Sequence, residues 1–362
     1  MIFNMNIKFV ESDQFNLGKL LVLKFFIADK KLKSNVYEFL KTNQISFNEH
    51  FVDNFIANDE IDELKFYNHK SNPDVIQIKK IKVDKKFSND YFRSEISKTL
   101  IDLNNQNIEN LQIDIPSFKQ FNSTFIDELH FYSSFVEGLF LGNYSFTRKS
   151  KKNVVKRLNI YLNSSEYHFT KVNLVKLKNV FDAVYSARDL VNEPANIIHP
   201  KSFVERIKKL FSSTTVSLQV FDEKKLKKMG MGALLAVGGS SNNPPYLLIL
   251  NYKPQNKAAK KIALVGKGIT YDSGGLSIKP TSGMIDMKAD MAGAAVVSGV
   301  VYAAAKNNLP IEISGIIPLA ENMISGNSYK PGDILKSYSG KTIEIKDTDA
   351  EGRLVLADAL TY

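Results

Sequence analysis

Carboxylates and basic side chains are concentrated in three short segments of the second half of the chain, each at the edge of a predicted strand or helix. The residues of these segments that could do chemistry are Lys267, Asp272, Lys279, Asp290, Asp347, Asp349, Glu351 and Arg353. Ligands of open α/β sheets bind beyond the carboxyl ends of strands, so we expect the three segments to meet in one crevice. Four carboxylates should converge there: Asp272, Asp290, Asp349 and Glu351.

Several carboxylates in one crevice repel each other, and their pKa values rise unless cations offset the repulsion. Sites dominated by carboxylate oxygens suit Mg²⁺, Mn²⁺ or Zn²⁺. Two such cations a few ångströms apart would suit a hydrolase that activates water. Lys279 and Arg353 would add positive charge for an oxyanion or for an anionic cofactor.

Other common catalytic chemistries are excluded by the distribution of residue types. The chain has no cysteine, and all five histidines lie before residue 200. The three segments therefore lack a thiol nucleophile, a histidine base and any histidine or thiolate metal ligand. The glycine pattern VGKGIT matches neither the P-loop nor the dinucleotide-binding pattern. From the residues alone two alternatives remain, a two-metal hydrolase or an α/β domain that binds a phosphate group or a nucleotide.

The elements that must position these residues alternate between strands and helices after residue 200. The predicted strands are SLQVF, YLLILNY, KIALVGKG, IEISGIIPLA and KTIEIKD. The predicted helices are Lys201–Phe211, Met291–Asn307 and a helix from Arg353 onward. Such alternation with apolar strands predicts an α/β/α arrangement, in which helices cover a mostly parallel central sheet.

The first 165 residues are rich in Lys, Asn, Phe and Ile and poor in glycine. Apolar runs such as GKLLVLKFFIA and DVIQIKKIKV alternate with the helical pattern SNVYEFLKTNQ, which predicts a small α/β domain. Apolar residues at helical spacing predict one long helix from Val172 to Asn192 that joins the two halves. We therefore expect an N-terminal α/β domain over residues 1–165 and a second domain over residues 166–362.

The overall composition is that of a globular protein. Of 362 residues, 44% are hydrophobic and 24% are charged, which excludes wholesale disorder. The formal net charge of +10 comes from scattered basic residues, so we expect a solvated lysine-rich surface rather than one that binds nucleic acid. No segment has the pattern of a secretory signal, and none is apolar for long enough to cross a bilayer. The sequence therefore predicts a soluble cytoplasmic protein.

The segments that carry the candidate residues also match known motifs. Residues 347–354 read DTDAEGRL, and Val265–Met291 contains VGKG, DSGG, SIKP and a Met-x-x-Asp-Met element in that order. VEGLFLGNYSF, ARDLVNEPAN and MGMGALLAVGGSS precede them. From Val136 onward the chain thus resembles the leucyl aminopeptidase family, the cytosol-aminopeptidase type of two-metal exopeptidase.

The resemblance implies a metal-dependent aminopeptidase that releases leucine and similar N-terminal residues from unblocked peptides by means of a metal-bridged hydroxide. It implies that the tighter metal is held by Lys267, Asp272, Asp290 and Glu351. It implies that the more exchangeable metal is held by Asp272, Asp349 and Glu351. The metals would be Mn²⁺ or Zn²⁺, with Mg²⁺ a further candidate.

The same resemblance implies roles for the residues around the metals. Lys279 would stabilise the gem-diolate formed from the peptide carbonyl, and Arg353 would hold a bicarbonate that acts as general base. Met287 would line the pocket for the first substrate side chain. The free α-amine of the peptide would bind the tighter metal near Asp290. The family also implies a homohexamer, with an N-terminal α/β domain and a C-terminal catalytic metallopeptidase domain.

Two departures from the family pattern bear on function. The family signature begins with Asn where this chain has Asp347, which bears on substrate contact and metal preference. The strand and loop that follow LADAL in the family do not follow it here, which predicts a fragment or a truncated protein with an incomplete catalytic sheet. We therefore expect negligible turnover from the 362-residue chain. An inactive relative and a DNA-binding oligomer of the same family are the alternative functions.

Overall fold

The structure, a computed structural model, describes residues 5–10, 20–28, 30–42, 45–67, 75–81, 88–104, 110–114, 118, 127–146, 158–163, 173–255 and 260–362. The chain divides into two compact units, Ile2–Leu174 and Val175–Tyr362. This division lies somewhat later in the chain than the predicted boundary at residue 165, at the point where the helix Leu174–Asn192 begins. Residues 148–157 form a basic run in the sequence, RKSKKNVVKR, and they lie outside the described residues. Within them, no helix has both the length and the apolar character needed to cross a membrane.

The first unit is built on one six-stranded sheet. Its strands are β1 (Met5–Val10), β2 (Leu20–Ile27), β3 (Glu63–Tyr67), β4 (Val75–Ile81), β5 (Asn110–Asp114) and β6 (Leu158–Asn163). Its helices are α1 (Leu32–Thr42), α2 (Glu49–Ala57), α3 (Asn89–Asn104) and α4 (Glu128–Gly142). The strand order is β1-β6-β5-β2-β4-β3, and every neighbouring pair is parallel except β3 with β4. The α/β architecture predicted for this part of the chain is confirmed.

The second unit contains the candidate site residues. Its helices are α5 (Leu174–Asn192), α6 (Pro200–Phe211), α7 (Glu223–Met229), α8 (Gly232–Gly238), α9 (Thr281–Met284), α10 (Ala292–Lys306) and α11 (Glu351–Thr361). Its strands are β7 (Ser217–Phe221), β8 (Tyr246–Tyr252), β9 (Lys260–Val265), β10 (Gly268–Asp272), β11 (Ile311–Asn322), β12 (Ile334–Lys336) and β13 (Thr342–Glu344). Two short 3-10 helices, Met287–Ala289 and Thr348–Ala350, lie beside the site.

Strand β11 is the centre of the sheet in the second unit. First β9 and then β10 run parallel along one side of β11, β8 runs antiparallel along its other side, and β7 is antiparallel to β8. All of these strands share one direction except β8, so the predicted mostly parallel sheet is confirmed. Asp272 ends β10 and pairs with Asn322, which ends β11. The carboxyl ends of the two strands therefore lie at the same edge.

Both faces of this sheet are buried, because successive side chains of a strand point to opposite faces. Leu248, Leu250 and Tyr252 of β8 pack with residues of α5, α6 and α10. Leu247 and Ile249 of the same strand pack with residues of α8 and α11. This alternation produces the three-layer α/β/α arrangement. Helix α10 packs on one face of the sheet and α11 on the other.

One predicted strand lies outside the central sheet, contrary to expectation. KTIEIKD forms only the three-residue strand β13, which pairs with β12 in a separate hairpin. Thr342 and Glu344 are exposed, so the segment lacks the two apolar faces that a central strand needs. The turn that carries Asp347, Asp349 and Glu351 therefore follows a hairpin rather than a strand of the sheet.

Asp358 joins α11 to two other elements from a fully buried position. Its carboxylate accepts hydrogen bonds from the backbone N–H of Leu234 in the first turn of α8 (2.9 Å) and from that of Tyr338 (2.7 Å). Burial raises the pKa of Asp358, and these hydrogen bonds oppose the rise. We expect Asp358→Asn to lower the free energy of unfolding by about 1–3 kcal/mol, because the amide leaves one buried N–H without an acceptor. Chemical denaturation measures the change.

Asp222 offers a matched control for Asp358. It caps α7 from an exposed position by accepting a hydrogen bond from the N–H of Lys225 (2.9 Å). Because Asn caps helices as well as Asp, Asp222→Asn should change the unfolding free energy by less than about 0.5 kcal/mol. Equal losses in the two variants would contradict the role of burial.

Candidate metal centre

Asp272 lies at the carboxyl end of β10 and is only 2% exposed. Its Oδ1 accepts hydrogen bonds from the N–H of Gly274 and from Nδ2 of Asn322, each at 2.9 Å. Its Oδ2 lies 3.0 Å from Nζ of Lys279. Gly274 has a φ of +84°, which an L side chain rarely adopts, so the turn that brings its N–H to Asp272 depends on glycine.

Lys267 lies in the two-residue interruption between β9 and β10. Its carbonyl accepts a hydrogen bond from the N–H of Ala294 at the start of α10 (2.8 Å), which holds the interruption against that helix. Its side chain runs past Gly352 in the first turn of α11. A Cβ at Gly352 would lie 2.7 Å from Cε of Lys267, so only glycine leaves enough space for the lysine side chain in this position.

The Lys267 ammonium lies between two carboxylates. Its Nζ is 2.8 Å from Oδ2 of Asp290 and 2.8 Å from Oε1 of Glu351. Burial lowers the pKa of Lys267, but the two carboxylates outweigh it, and the pKa lies above its usual value. Burial also raises the pKa of Asp290 and of Glu351, against the opposing effect of Lys267. Lys267 therefore offsets only part of the cost of burying the carboxylates of Asp290 and Glu351.

One carboxylate oxygen from each of Asp272, Asp290 and Glu351 lies within 4.8 Å of the other two, so these residues could bind the same cation. Glu351 is 1% exposed, and its Oε2 has no hydrogen-bond partner among the described residues. A buried carboxylate oxygen without a donor is costly unless a cation satisfies it. The donor set of carboxylate oxygens and one amine fits a divalent cation of the Mn²⁺, Mg²⁺ or Zn²⁺ type.

Asp349 is linked to this group through Lys279. The Lys279 ammonium forms ion pairs with both Asp272 and Asp349. Burial lowers the pKa of Lys279, but these two pairs raise it well above its usual range. Asp349 lies in the 3-10 helix Thr348–Ala350, and its side chain is 34% exposed. The five predicted metal ligands and Lys279 therefore lie close together, linked by the ion pairs of Lys267 and Lys279 and by the short distances among Asp272, Asp290 and Glu351. Arg353, which was predicted to hold bicarbonate, is exposed on α11.

Asp347, which occupies the variant position of the DTDAEGRL motif, lies at the exposed rim of the site. Its carboxylate caps the 3-10 helix by accepting a hydrogen bond from the N–H of Asp349 (2.8 Å). The pKa of Asp347 is lowered by this hydrogen bond, by a hydrogen bond from the Ser277 hydroxyl and by the positive charges of Lys279 and Arg353. Because Asn and Asp cap equally well, the substitution keeps the turn and adds a charge. Met287 is half-buried at the start of the other 3-10 helix, ahead of Asp290.

Three residues of the site were not predicted from the sequence: Asn322, Tyr329 and Thr348. Asn322 and Thr348 are fully buried, and Tyr329 is 5% exposed. Asn322 ends the strand beside β10, so the strand-end rule that singled out Asp272 also applies to it. Thr348 lies within the DTDAEGRL motif but was not singled out there. Tyr329 carries no such signal, because its contact with Thr348 joins separate parts of the chain.

Comparison with known proteins finds relatives of this chain. The sequence profile of the cytosol aminopeptidase family, catalytic domain, matches residues 185–362. A probable cytosol aminopeptidase of Clostridium tetani is 44% identical over 259 residues, which cover 70% of this chain and 53% of that protein. One of Chlorobium limicola is 38% identical over 284 residues, 75% of this chain and 56% of that protein.

The chain belongs to the cytosol aminopeptidase family. The resemblance to leucyl aminopeptidases inferred from DTDAEGRL and the preceding motifs is thereby confirmed. The chain spans about half the length of the curated cytosol aminopeptidases it matches.

Solved structures show the same fold. The bottromycin maturation enzyme BotP in complex with Mn superposes with a TM-score of 0.75 at 27% identity, over 94% of this chain and 68% of that one. A cytosol aminopeptidase from Coxiella burnetii gives a TM-score of 0.71 at 26% identity, over 97% of this chain and 69% of that one. The α/β fold predicted for a cytosol aminopeptidase is therefore the fold observed.

Proposed function

We propose that this protein is a metal-dependent aminopeptidase that releases leucine and similar residues from peptides with a free N-terminus. The observation that carries the proposal is the convergence of Asp272, Asp290 and Glu351, with their oxygens within 4.8 Å of one another and with Lys267 beside them. Membership of the cytosol aminopeptidase family and the Mn named for BotP support it.

Two divalent cations would supply the Lewis acid that activates water and polarises the peptide carbonyl. One would be held by Lys267, Asp272, Asp290 and Glu351. The other would be held by Asp272, Asp349 and Glu351. Lys267 must give up its proton to act as a ligand, and the field of a cation favours the free amine.

The remaining residues would bind and orient the peptide. Lys279 forms ion pairs with Asp272 and Asp349. Its positive charge would stabilise the negative charge that develops on the carbonyl oxygen. The free α-amine of the peptide would bind near Asp290, which would account for removal of residues from the N-terminus only. Met287 would contact the first substrate side chain, and Arg353 would hold bicarbonate near the reacting carbonyl.

We expect hydrolysis of leucyl anilide to stop on exhaustive chelation and to return on addition of Mn²⁺ or Zn²⁺, because the site offers no histidine or thiol that could replace the metal. The assay uses the protein expressed from its complete reading frame. N-acetyl-leucyl anilide is the matched control substrate, and it should remain intact because it has no free amine. Full activity after chelation, or equal hydrolysis of the acetylated substrate, would overturn the proposal.

A further inference from the structure

Thr348 lies fully buried in the turn before α11, where it contacts the loop after β10. Its hydroxyl donates to the carbonyl of Gly274 (2.7 Å) and accepts from the N–H of Ser277 (2.8 Å). Its carbonyl accepts from Nδ2 of Asn322 (3.0 Å) and from the hydroxyl of Tyr329 (2.8 Å). One residue thus ties together the two segments from which the proposed metal ligands project.

Asn322 reaches both sides of this junction with a single amide group. Its Nδ2 donates to Oδ1 of Asp272 as well as to the carbonyl of Thr348. Because Oδ1 of Asp272 also accepts from the N–H of Gly274, it is saturated by two donors, and Oδ2 is the oxygen that faces Lys279. The conformation of the Asp272 carboxylate is therefore set by Asn322 and Gly274.

Burial of the Asn322 side chain costs folding free energy. It is fully buried, and its Oδ1 has no hydrogen-bond partner among the described residues. A buried polar atom without a partner destabilises the fold, so an amide at this place needs a compensating role. The compensating contacts are the two hydrogen bonds that the same amide donates, to Asp272 and to Thr348.

We propose that Asn322 is a positioning residue of the metal centre. It determines which oxygen of Asp272 is presented to the cations, and it ties that carboxylate to the turn that carries Asp349 and Glu351. The inference rests on the metal-dependent function proposed above. Partners that orient metal ligands are typically worth 10–100-fold in metal affinity, so the effect is large enough to measure.

The test compares Mn²⁺ affinity among variants of the chain, measured from the electron paramagnetic resonance signal of free Mn²⁺ well below the unfolding temperature. Asn322→Leu keeps the side-chain size and removes both donated hydrogen bonds, and it should weaken Mn²⁺ binding by about 10–100-fold. Tyr329→Phe removes one donor to Thr348 without touching Asp272, and it should weaken binding less. Asp358→Asn is the control for general destabilisation and should bind Mn²⁺ as the unmodified protein does.

The outcomes separate this inference from the function on which it rests. Mn²⁺ binding by Asn322→Leu equal to that of the unmodified protein overturns the positioning role and leaves the proposed function standing. Failure of the unmodified protein to bind either Mn²⁺ or Zn²⁺ overturns the proposed function itself. A weakening in Asp358→Asn equal to that in Asn322→Leu would reduce the effect to lost stability and so contradict the inference. If Asn322→Leu does not fold, Asn322→Ser takes its place, because its hydroxyl can serve only one of the two acceptors, and it too should bind Mn²⁺ more weakly.

Discussion

Glu351→Ala should strip the protein of divalent metal and lower peptidase activity by several orders of magnitude. Glu351 is 1% exposed, its Oε1 pairs with Lys267, and its Oε2 is a buried oxygen without a hydrogen-bond donor among the described residues. Because this carboxylate is proposed to contact both cations, both should bind more weakly. The loss of affinity should exceed the roughly 10–100-fold that an orienting partner contributes.

Metal content after dialysis and the rate of leucyl anilide hydrolysis measure the effect of Glu351→Ala together. Glu344→Ala is the matched control, because Glu344 is an exposed glutamate of the neighbouring hairpin that pairs only with Lys346 among the described ion pairs. That variant should keep both its metal and its rate. Retention of two ions by Glu351→Ala would show that the shared-ligand assignment is wrong.

The sequence predicts the second unit of the fold well because its strands are buried on both faces. The apolar runs SLQVF and YLLILNY coincide with β7 and β8, and the predicted helix Met291–Asn307 differs from α10 by one residue at each end. Strand ends also predict chemistry. Asp272 lies at the carboxyl end of a strand, where ligands of open α/β sheets bind. Glu351, which the motifs singled out, lies near Asp272, and Lys267 is ion-paired with Glu351.

What the sequence does not predict depends on contacts between distant residues. Lys80 lies in the apolar run of β4 and is only 5% exposed, because its ammonium donates to the carbonyls of Phe55 and Asn58 near the end of α2. No periodicity reveals such a partner. The same holds for Thr348, whose hydroxyl and carbonyl each bind groups far along the chain. Likewise, the pattern of KTIEIKD predicts that this segment is a strand, but it does not predict which sheet the strand joins.

Lys279→Met should leave metal binding intact and reduce kcat by about 10²–10³, the usual cost of removing one group that stabilises an oxyanion. The Lys279 ammonium is held by Asp272 and Asp349, and these pairs keep its pKa above its usual value although burial opposes them. Steady-state kinetics and Mn²⁺ titration measure the two quantities separately.

The sign of the metal effect distinguishes Lys279 from the proposed ligands. Replacing Lys279 by methionine removes one positive charge from beside Asp272 and Asp349, so the remaining carboxylates should attract a divalent cation at least as strongly as before. Replacing Glu351 removes a carboxylate and should do the opposite. Lys279→Arg keeps the charge and should retain more activity than Lys279→Met, with the same metal content. If Lys279→Met lost its metal as Glu351→Ala is expected to, Lys279 would be holding the carboxylates in place rather than acting on the substrate.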